Sequence, residues 1–271
     1  MKPFVFTLQV DAISDELLSC TVTQGDEENQ LDYSLVNGAI SLRVENSLGQ
    51  GISNNRHQLR KILRSAIDGK LLLGQRISCV FLEGFFFLKN EHFADYIRID
   101  QRKGRFAISL SDQGLSGTYK LYADGSANHE TLHAGFAGFI ESPDGTRDVY
   151  FCSVPGSSNN LMELMGLIEG LLRLQAEQCI QVYTDSRYVI RGLVQWVHFW
   201  RHNNWQTAYG REVRYVTHWQ QALDLCEGKC IEFKWVKGHA GNAAHDFCHQ
   251  VAKSVASQSS IERIWGTKST T

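Results

Sequence analysis

Three acidic residues stand where their surroundings could turn them to chemistry. Asp124 closes an alternating run, Tyr119-Lys-Leu-Tyr-Ala-Asp, which reads as a strand carrying the carboxylate to its end ahead of a Gly-Ser turn. Asp185 ends a second run of the same kind, Ile180-Gln-Val-Tyr-Thr-Asp. Glu163 falls in the first turn of a predicted helix whose caps are offered by Ser157-Ser-Asn-Asn. Two strand-end acids and a helix-start acid can converge on one site, although each alone would be an ordinary capping or turn residue.

The elements around them follow from periodicity. Gly135 to Ile140 and Val149 to Ser153 alternate across a Pro-Asp-Gly turn, so three antiparallel strands are expected from Tyr119 to Ser153. Leu161 to Leu174 spaces Met162, Met165, Leu167, Ile168, Leu171 and Leu172 as a broad apolar helical stripe, and a further helix is expected from Tyr188 onward. The polar stretch 111–117 marks a domain boundary, giving domains at 1–112 and 118–256, a linker at 113–117 and a tail at 257–271.

The N-terminal segment reads as a small α+β domain. Strands are expected at Phe4–Val10, Ala39–Val44 and Ile77–Leu88, the last including the run Phe85-Phe86-Phe87, with a closing hairpin at Tyr96–Ile99 and Phe106–Leu110. Between them His57 to Ile67 forms an amphipathic helix with Arg56, Arg60, Lys61 and Arg64 on its polar side. No phosphate-cradling glycine motif or ligand cluster gives this segment a chemistry, and its protein partner is unknown.

Bulk properties narrow the classes. A hydrophobic fraction of 43% supports a folded core, and a net charge of −2 supplies no overall field for nucleic acid, leaving local patches and ions to provide one. The N-terminus has no signal-peptide pattern, and no run approaches the roughly 20 apolar residues of a membrane span. Seven cysteines, odd in number and scattered, fit a reducing compartment, so a cytoplasmic location and no membrane partner are expected. Cys226 and Cys230 lack the second pair a closed zinc site requires.

Four strings in one order carry a family resemblance: Tyr-Ala-Asp124-Gly-Ser, Asn159-Asn-Leu-Met-Glu163, Tyr-Thr-Asp185-Ser-Arg and Trp235-Val-Lys-Gly-His239-Ala-Gly. Residues 118–256 thereby resemble type 1 ribonuclease H. The resemblance implies an α/β fold, a ribonuclease H-like mixed five-stranded sheet with flanking helices, here preceded by the α+β domain. It implies an endoribonuclease that cuts the RNA strand of an RNA/DNA hybrid, leaving 5′-phosphate and 3′-hydroxyl ends by a two-metal mechanism. Asp124 would bridge both ions and Glu163 and Asp185 would hold the one on the leaving-group side. Such hard oxygen ligands suit two Mg2+ or Mn2+ ions. His239, in a glycine-flanked loop, would assist water activation or product release.

The fourth carboxylate is missing. The family places an aspartate ten positions after the loop histidine, and here that position is His249. Either His249 offers a nitrogen to the ion, removing a negative charge and favouring manganese, or Asp246, three positions earlier on the helix, takes the role. A decayed site would leave a non-catalytic module that binds hybrids or proteins.

Asn159 and Asn160 match family positions that contact the hybrid in its minor groove, and Arg187 stands where bacterial members often carry glutamine. The stretch Arg191 to Trp219, with Trp196, Trp200 and Trp205, resembles the basic protrusion that grips the DNA strand, its tryptophans reading mainly as its own core. Arg201, Arg211, Arg214 and Lys237 are the phosphate candidates.

Overall fold

The computed structural model describes residues 3–82, 87–128, 130, 132–207, 211–238 and 242–257. The chain forms two compact units, Met1–Phe85 with His198–Arg214, and Phe86–Val197 with Tyr215–Thr271. The second unit thus begins well before the polar stretch expected to separate the domains. Among the described residues no helix is long and apolar enough to cross a membrane.

The first unit is built on five antiparallel strands, β1 (Pro3–Ile13), β2 (Leu17–Gln24), β3 (Glu27–Ser34), β4 (Ile40–Leu42) and β5 (Arg76–Leu82), in the order β4-β3-β2-β1-β5. Alternate residues Phe6, Leu8 and Val10, then Leu18, Cys20 and Val22, face one side. Helices α1 (Ser47–Asn54) and α2 (Arg56–Asp68) bring Leu48, Ile52, Leu59 and Leu63 into the same core. Of the expected strand at Ile77–Leu88, the part to Leu82 is β5, residues 83–86, with Phe85 and Phe86, lie outside the described residues, and Phe87 is exposed and not in a strand.

The second unit holds a mixed sheet of seven strands where five were expected. Strands β6 (Tyr96–Asp100) and β7 (Ile108–Ser111) precede β8 (Tyr119–Asn128), β9 (His133–Glu141), β10 (Arg147–Pro155), β11 (Cys179–Thr184) and β12 (Cys230–Trp235). Their spatial order is β10-β9-β8-β11-β12-β6-β7, with β8, β11 and β12 parallel and the other pairs antiparallel. The hairpin read as closing the N-terminal domain therefore extends this sheet instead.

A buried acid accounts for the attachment. Glu232 on β12 has a fully buried side chain, and Arg98 on β6 meets it at 2.7 Å. Its other oxygen accepts hydrogen bonds from Gln181 Nε2 on β11 at 2.7 Å and from the Leu115 amide at 2.8 Å. A buried carboxylate with this many donors is satisfied, and each donor is a tie from β12 to a different segment.

Helix α3 (Asn159–Arg173) crosses β8, followed after β11 by α4 (Arg187–Arg191), a π-helical turn at Gly192–Trp196, α5 (Val197–Trp200), α6 (Val216–Cys226) and α7 (Ala243–Ala256). Helix α3 is capped at both ends. Ser158 Oγ accepts from the Leu161 amide, and Lys229 Nζ donates to the carbonyls of Leu174, Gln175 and Glu177 just past its C-terminus. The cap is thus Ser158, and Asn159 and Asn160 open the first turn.

Candidate active site

Asp124 does not stand at a strand end. β8 continues to Asn128 along β9, but its pairing with β11 stops at Tyr122, so Asp124 lies just where β8 and β11 part. Asp185 follows the last residue of β11, where Trp235 Nε1 donates to its carbonyl at 2.9 Å and fixes the turn. Glu163, expected in the first turn of its helix, opens the second turn of α3 because the helix begins at Asn159, and Ser186 joins it to the turn bearing Asp185. The Ser186 hydroxyl donates to Glu163 Oε2 while accepting from the Val189 amide as the cap of α4. One serine thereby starts a helix and aims an acid.

Two glycines make the approach of these elements possible. A Cβ at Gly125 would lie 2.3 Å from the Glu163 amide nitrogen and 2.4 Å from the Met162 carbonyl carbon, so only glycine lets α3 bring Glu163 this close to β8. A Cβ at Gly238 would lie 2.8 Å from Asp185 Oδ2.

Helix α7 completes the site with two imidazoles. His249 Nδ1 is 2.8 Å from Asp124 Oδ2; a carboxylate accepts, so the ring donates through Nδ1. Asp124 Oδ1 accepts from the Gly125 amide at 2.7 Å. His245, one helical turn earlier, is 1% exposed, and its Nε2 sits 3.6 Å from Asp185 Oδ1, too far for a hydrogen bond. That nitrogen has no hydrogen-bond partner. Ligand atoms of Asp124, Asp185 and His245 all lie within 4.8 Å of one another. The sequence reading passed over His245, although its spacing of four from His249 puts both on one helix face.

The electrostatics are those of crowded acids in a partly buried place. Burial, reinforced by the Asp185 charge, raises the Asp124 carboxyl above its ordinary value. Burial pushes Glu163 up to about 7, against the Ser186 hydrogen bond and with help from Asp185 and Asp124. Asp185 moves the other way, because the imidazolium form of His245 outweighs burial and holds it below its usual range. Burial disfavours a charged His245, but Asp185 and Asp124 together raise it. Three acids and an orphaned buried imidazole nitrogen fit a divalent cation, which would remove the repulsion and give that nitrogen a partner.

The remaining candidates separate. Asp246 sits in the first turn of α7 and is outside the cluster that joins Asp124, Asp185 and His245. Exposed Asn159 caps the end of β8 instead, its Oδ1 accepting from the Ala127 amide at 2.6 Å, while Asn160 is exposed beside it. Arg187 is held by aromatic faces, its guanidinium 4.2 Å from the Trp235 ring centroid and 5.2 Å from that of Phe93. Trp196 packs edge-on against Tyr188 at 5.7 Å, and Trp200 is half-buried. Lys237 is exposed, as are Arg201, Arg211 and Arg214. His239 lies outside the described residues.

Comparison with known proteins bears on the same half of the chain. The family described as RNase H matches residues 116–257. Ribonuclease HI of Synechocystis sp. is 34% identical over 133 residues, covering 49% of this chain and 83% of that protein. Ribonuclease H of Verminephrobacter eiseniae is 36% identical over 129 residues, covering 47% and 83%. That of Orientia tsutsugamushi is 32% identical over 133 residues, covering 49% and 79%. Strands β1–β7 all lie before the matched segment, so the edge strands β6 and β7 are added to the sheet from outside it.

Proposed function

The chain belongs to the ribonuclease H family, and we propose that it is a metal-dependent endoribonuclease that hydrolyses the RNA strand of RNA/DNA hybrids, leaving 5′-phosphate and 3′-hydroxyl ends. The observation that carries this reading is the convergence of Asp124, Asp185 and the buried His245 imidazole, whose ligand atoms lie within 4.8 Å of one another, with Glu163 near enough to feel their charges.

Divalent ions bound to these acids would supply Lewis acidity and a ready nucleophilic water at neutral pH, together with charge to stabilise the departing oxygen. The protein's own part is to hold the ligands. Asp124 is oriented from both sides, by the Gly125 amide and by His249. Glu163 is steered by Ser186, and the turn bearing Asp185 is pinned by Trp235. His249 thus supports the site by fixing Asp124, in place of the ligand role its position suggested. Magnesium and manganese both suit the oxygens.

Substrate contacts are assigned to the exposed Asn159 and Asn160 and to Lys237, with His239 assisting water activation or product release. Arg187, stacked on Trp235, would serve by shaping the surface next to Asp185, with Trp196 packed on Tyr188 in the same unit. A cytoplasmic location is part of this reading, in keeping with seven cysteines of which none forms a disulfide. The test is cleavage of one labelled RNA strand presented in an RNA/DNA hybrid, in double-stranded RNA and alone. The reading requires metal-dependent cutting of the hybrid and not of the other two. Tight hybrid binding without cutting would make the chain a binding module on this fold.

A further inference from the structure

The two histidines of α7 are not equivalent, and the difference bears on which ion the site takes. His249 has its Nδ1 committed to Asp124 Oδ2 at 2.8 Å and a side chain 31% exposed. His245 is 1% exposed and its Nε2 makes no hydrogen bond, only a 3.6 Å approach to Asp185 Oδ1 that is an ion pair when the ring is protonated. Burying an imidazole nitrogen without a hydrogen bond costs about 1–3 kcal/mol, a cost that selection tolerates where the atom has another partner in the working molecule. That nitrogen points at the acids. It lies 3.6 Å from Asp185 Oδ1, and one ring nitrogen of His245 and an oxygen from each of Asp124 and Asp185 all lie within 4.8 Å of one another.

Resting on the reading of the site as a metal-dependent nuclease, we propose that His245, and not His249, supplies a nitrogen ligand that joins Asp124 and Asp185 around one ion and selects manganese or a similar first-row transition ion over magnesium. Three facts converge on it. The three ligand atoms lie within 4.8 Å of one another, close to what a single cation needs, since metal–ligand bonds of about 2.0–2.2 Å place opposite donors about 4 Å apart and a small rotation of the carboxylates supplies the difference. Imidazole is a donor that transition ions accept readily and magnesium, which keeps to oxygen and water, does not. The i, i+4 spacing divides the labour on one helix face, with His245 reaching the ion and His249 holding Asp124. His249 is on this account a positioning residue, and Asp124, Asp185 and His245 form the coordinating set.

The experiment is electron spin echo spectroscopy of Mn2+ bound to the full chain, with Mn2+ affinity measured by loss of the free-ion signal and Mg2+ affinity by competition. A directly coordinated imidazole gives a 14N modulation. It is expected in the unaltered protein and in His249→Asn, and is expected to vanish in His245→Asn. The latter should bind Mn2+ at least about tenfold more weakly, with Mg2+ affinity changed by less than about threefold. Modulation kept in His245→Asn but lost in His249→Asn would overturn the assignment, as would its absence from the unaltered protein, a result that depends on no variant folding. If hybrid cleavage persists and depends on Asp124 while no nitrogen is seen, only this inference fails. If Asp124→Asn changes neither Mn2+ binding nor cleavage, the nuclease reading beneath it fails as well.

Discussion

Replacing Gly125 by alanine should cripple the site while leaving the protein folded. The added Cβ would stand 2.3 Å from the Glu163 nitrogen, 2.4 Å from the Met162 carbonyl carbon and 2.6 Å from the Met162 Cβ. Ordinary contacts begin near 3.4 Å, so β8 and the turn of α3 at Met162 and Glu163 must separate by on the order of 1 Å, and neither is a flexible side chain that could swing aside. Overpacking of this kind costs about 1–3 kcal/mol, spread over a unit whose core is otherwise intact. The displaced turn carries Glu163, and a misplacement of about 1 Å in a catalytic constellation costs roughly a hundredfold in rate. Urea denaturation and hybrid cleavage, measured on the same preparations, separate the two effects. Gly166→Ala is the control, since its Cβ would meet Asp124 O at 3.3 Å and the Phe136 Cβ at 3.4 Å and ask for little movement. Wild-type activity in Gly125→Ala, within about twofold, would refute the argument that glycine here exists to let Glu163 approach Asp124.

Gly238→Ala should weaken metal binding and cleavage with little change in stability, because its Cβ would press on Asp185 Oδ2 at 2.8 Å rather than on the core; isothermal titration with Mn2+ and a thermal melt check both halves. Arg98→Ala should destabilise the chain by about 3 kcal/mol in urea, because it strips the cation from a fully buried Glu232, whereas Glu232→Gln, which removes the buried charge itself, should cost less. Without metal, stability should fall as pH rises from 4.5 to about 7, because the raised folded value of Glu163 lets the native state hold its proton after the unfolded chain has lost it. The raised value of His245 adds to the same trend, since stability it contributes at low pH is lost as pH rises through that value. Thermal melts in a chelator at both ends of that window should show the fall, Mn2+ should reduce it and Glu163→Gln should blunt it.

The site was largely legible because its acids sit at changes of period that sequence displays openly. The run Tyr119 to Asp124, the helical stripe after Asn160 and the run Ile180 to Asp185 each announce their element. Less visible was what depends on partners. Strand β3 reads Glu-Glu-Asn-Gln-Leu-Asp-Tyr-Ser, and one of its inward positions is Asn29, whose amide is paired with both the nitrogen and the oxygen of Val44, so alternation of apolar residues is hidden. The hairpin of β6 and β7 was recognised as strands but given to the other unit, because pairing to β12 through Arg98 and Glu232 spans 134 positions that no local pattern encodes. Helix α1 is short and carries two glycines, which masks its period. His245 was missed for a different reason. It falls outside the register position of the absent aspartate, and only its spacing of four from His249 signals that both rings share one helix face.

The central claim is that Asp124, Glu163 and Asp185 form a metal-dependent nuclease centre. Its most direct test is single-turnover cleavage of an end-labelled RNA/DNA hybrid by the full chain in Mg2+, in Mn2+ and in chelator, beside Asp124→Asn. The account predicts RNA cleavage in the presence of metal, faster in Mn2+, absent in chelator and lowered by at least about a thousandfold in the variant, the scale of a lost essential group. Cleavage that survives in chelator, or that Asp124→Asn leaves intact, would contradict it.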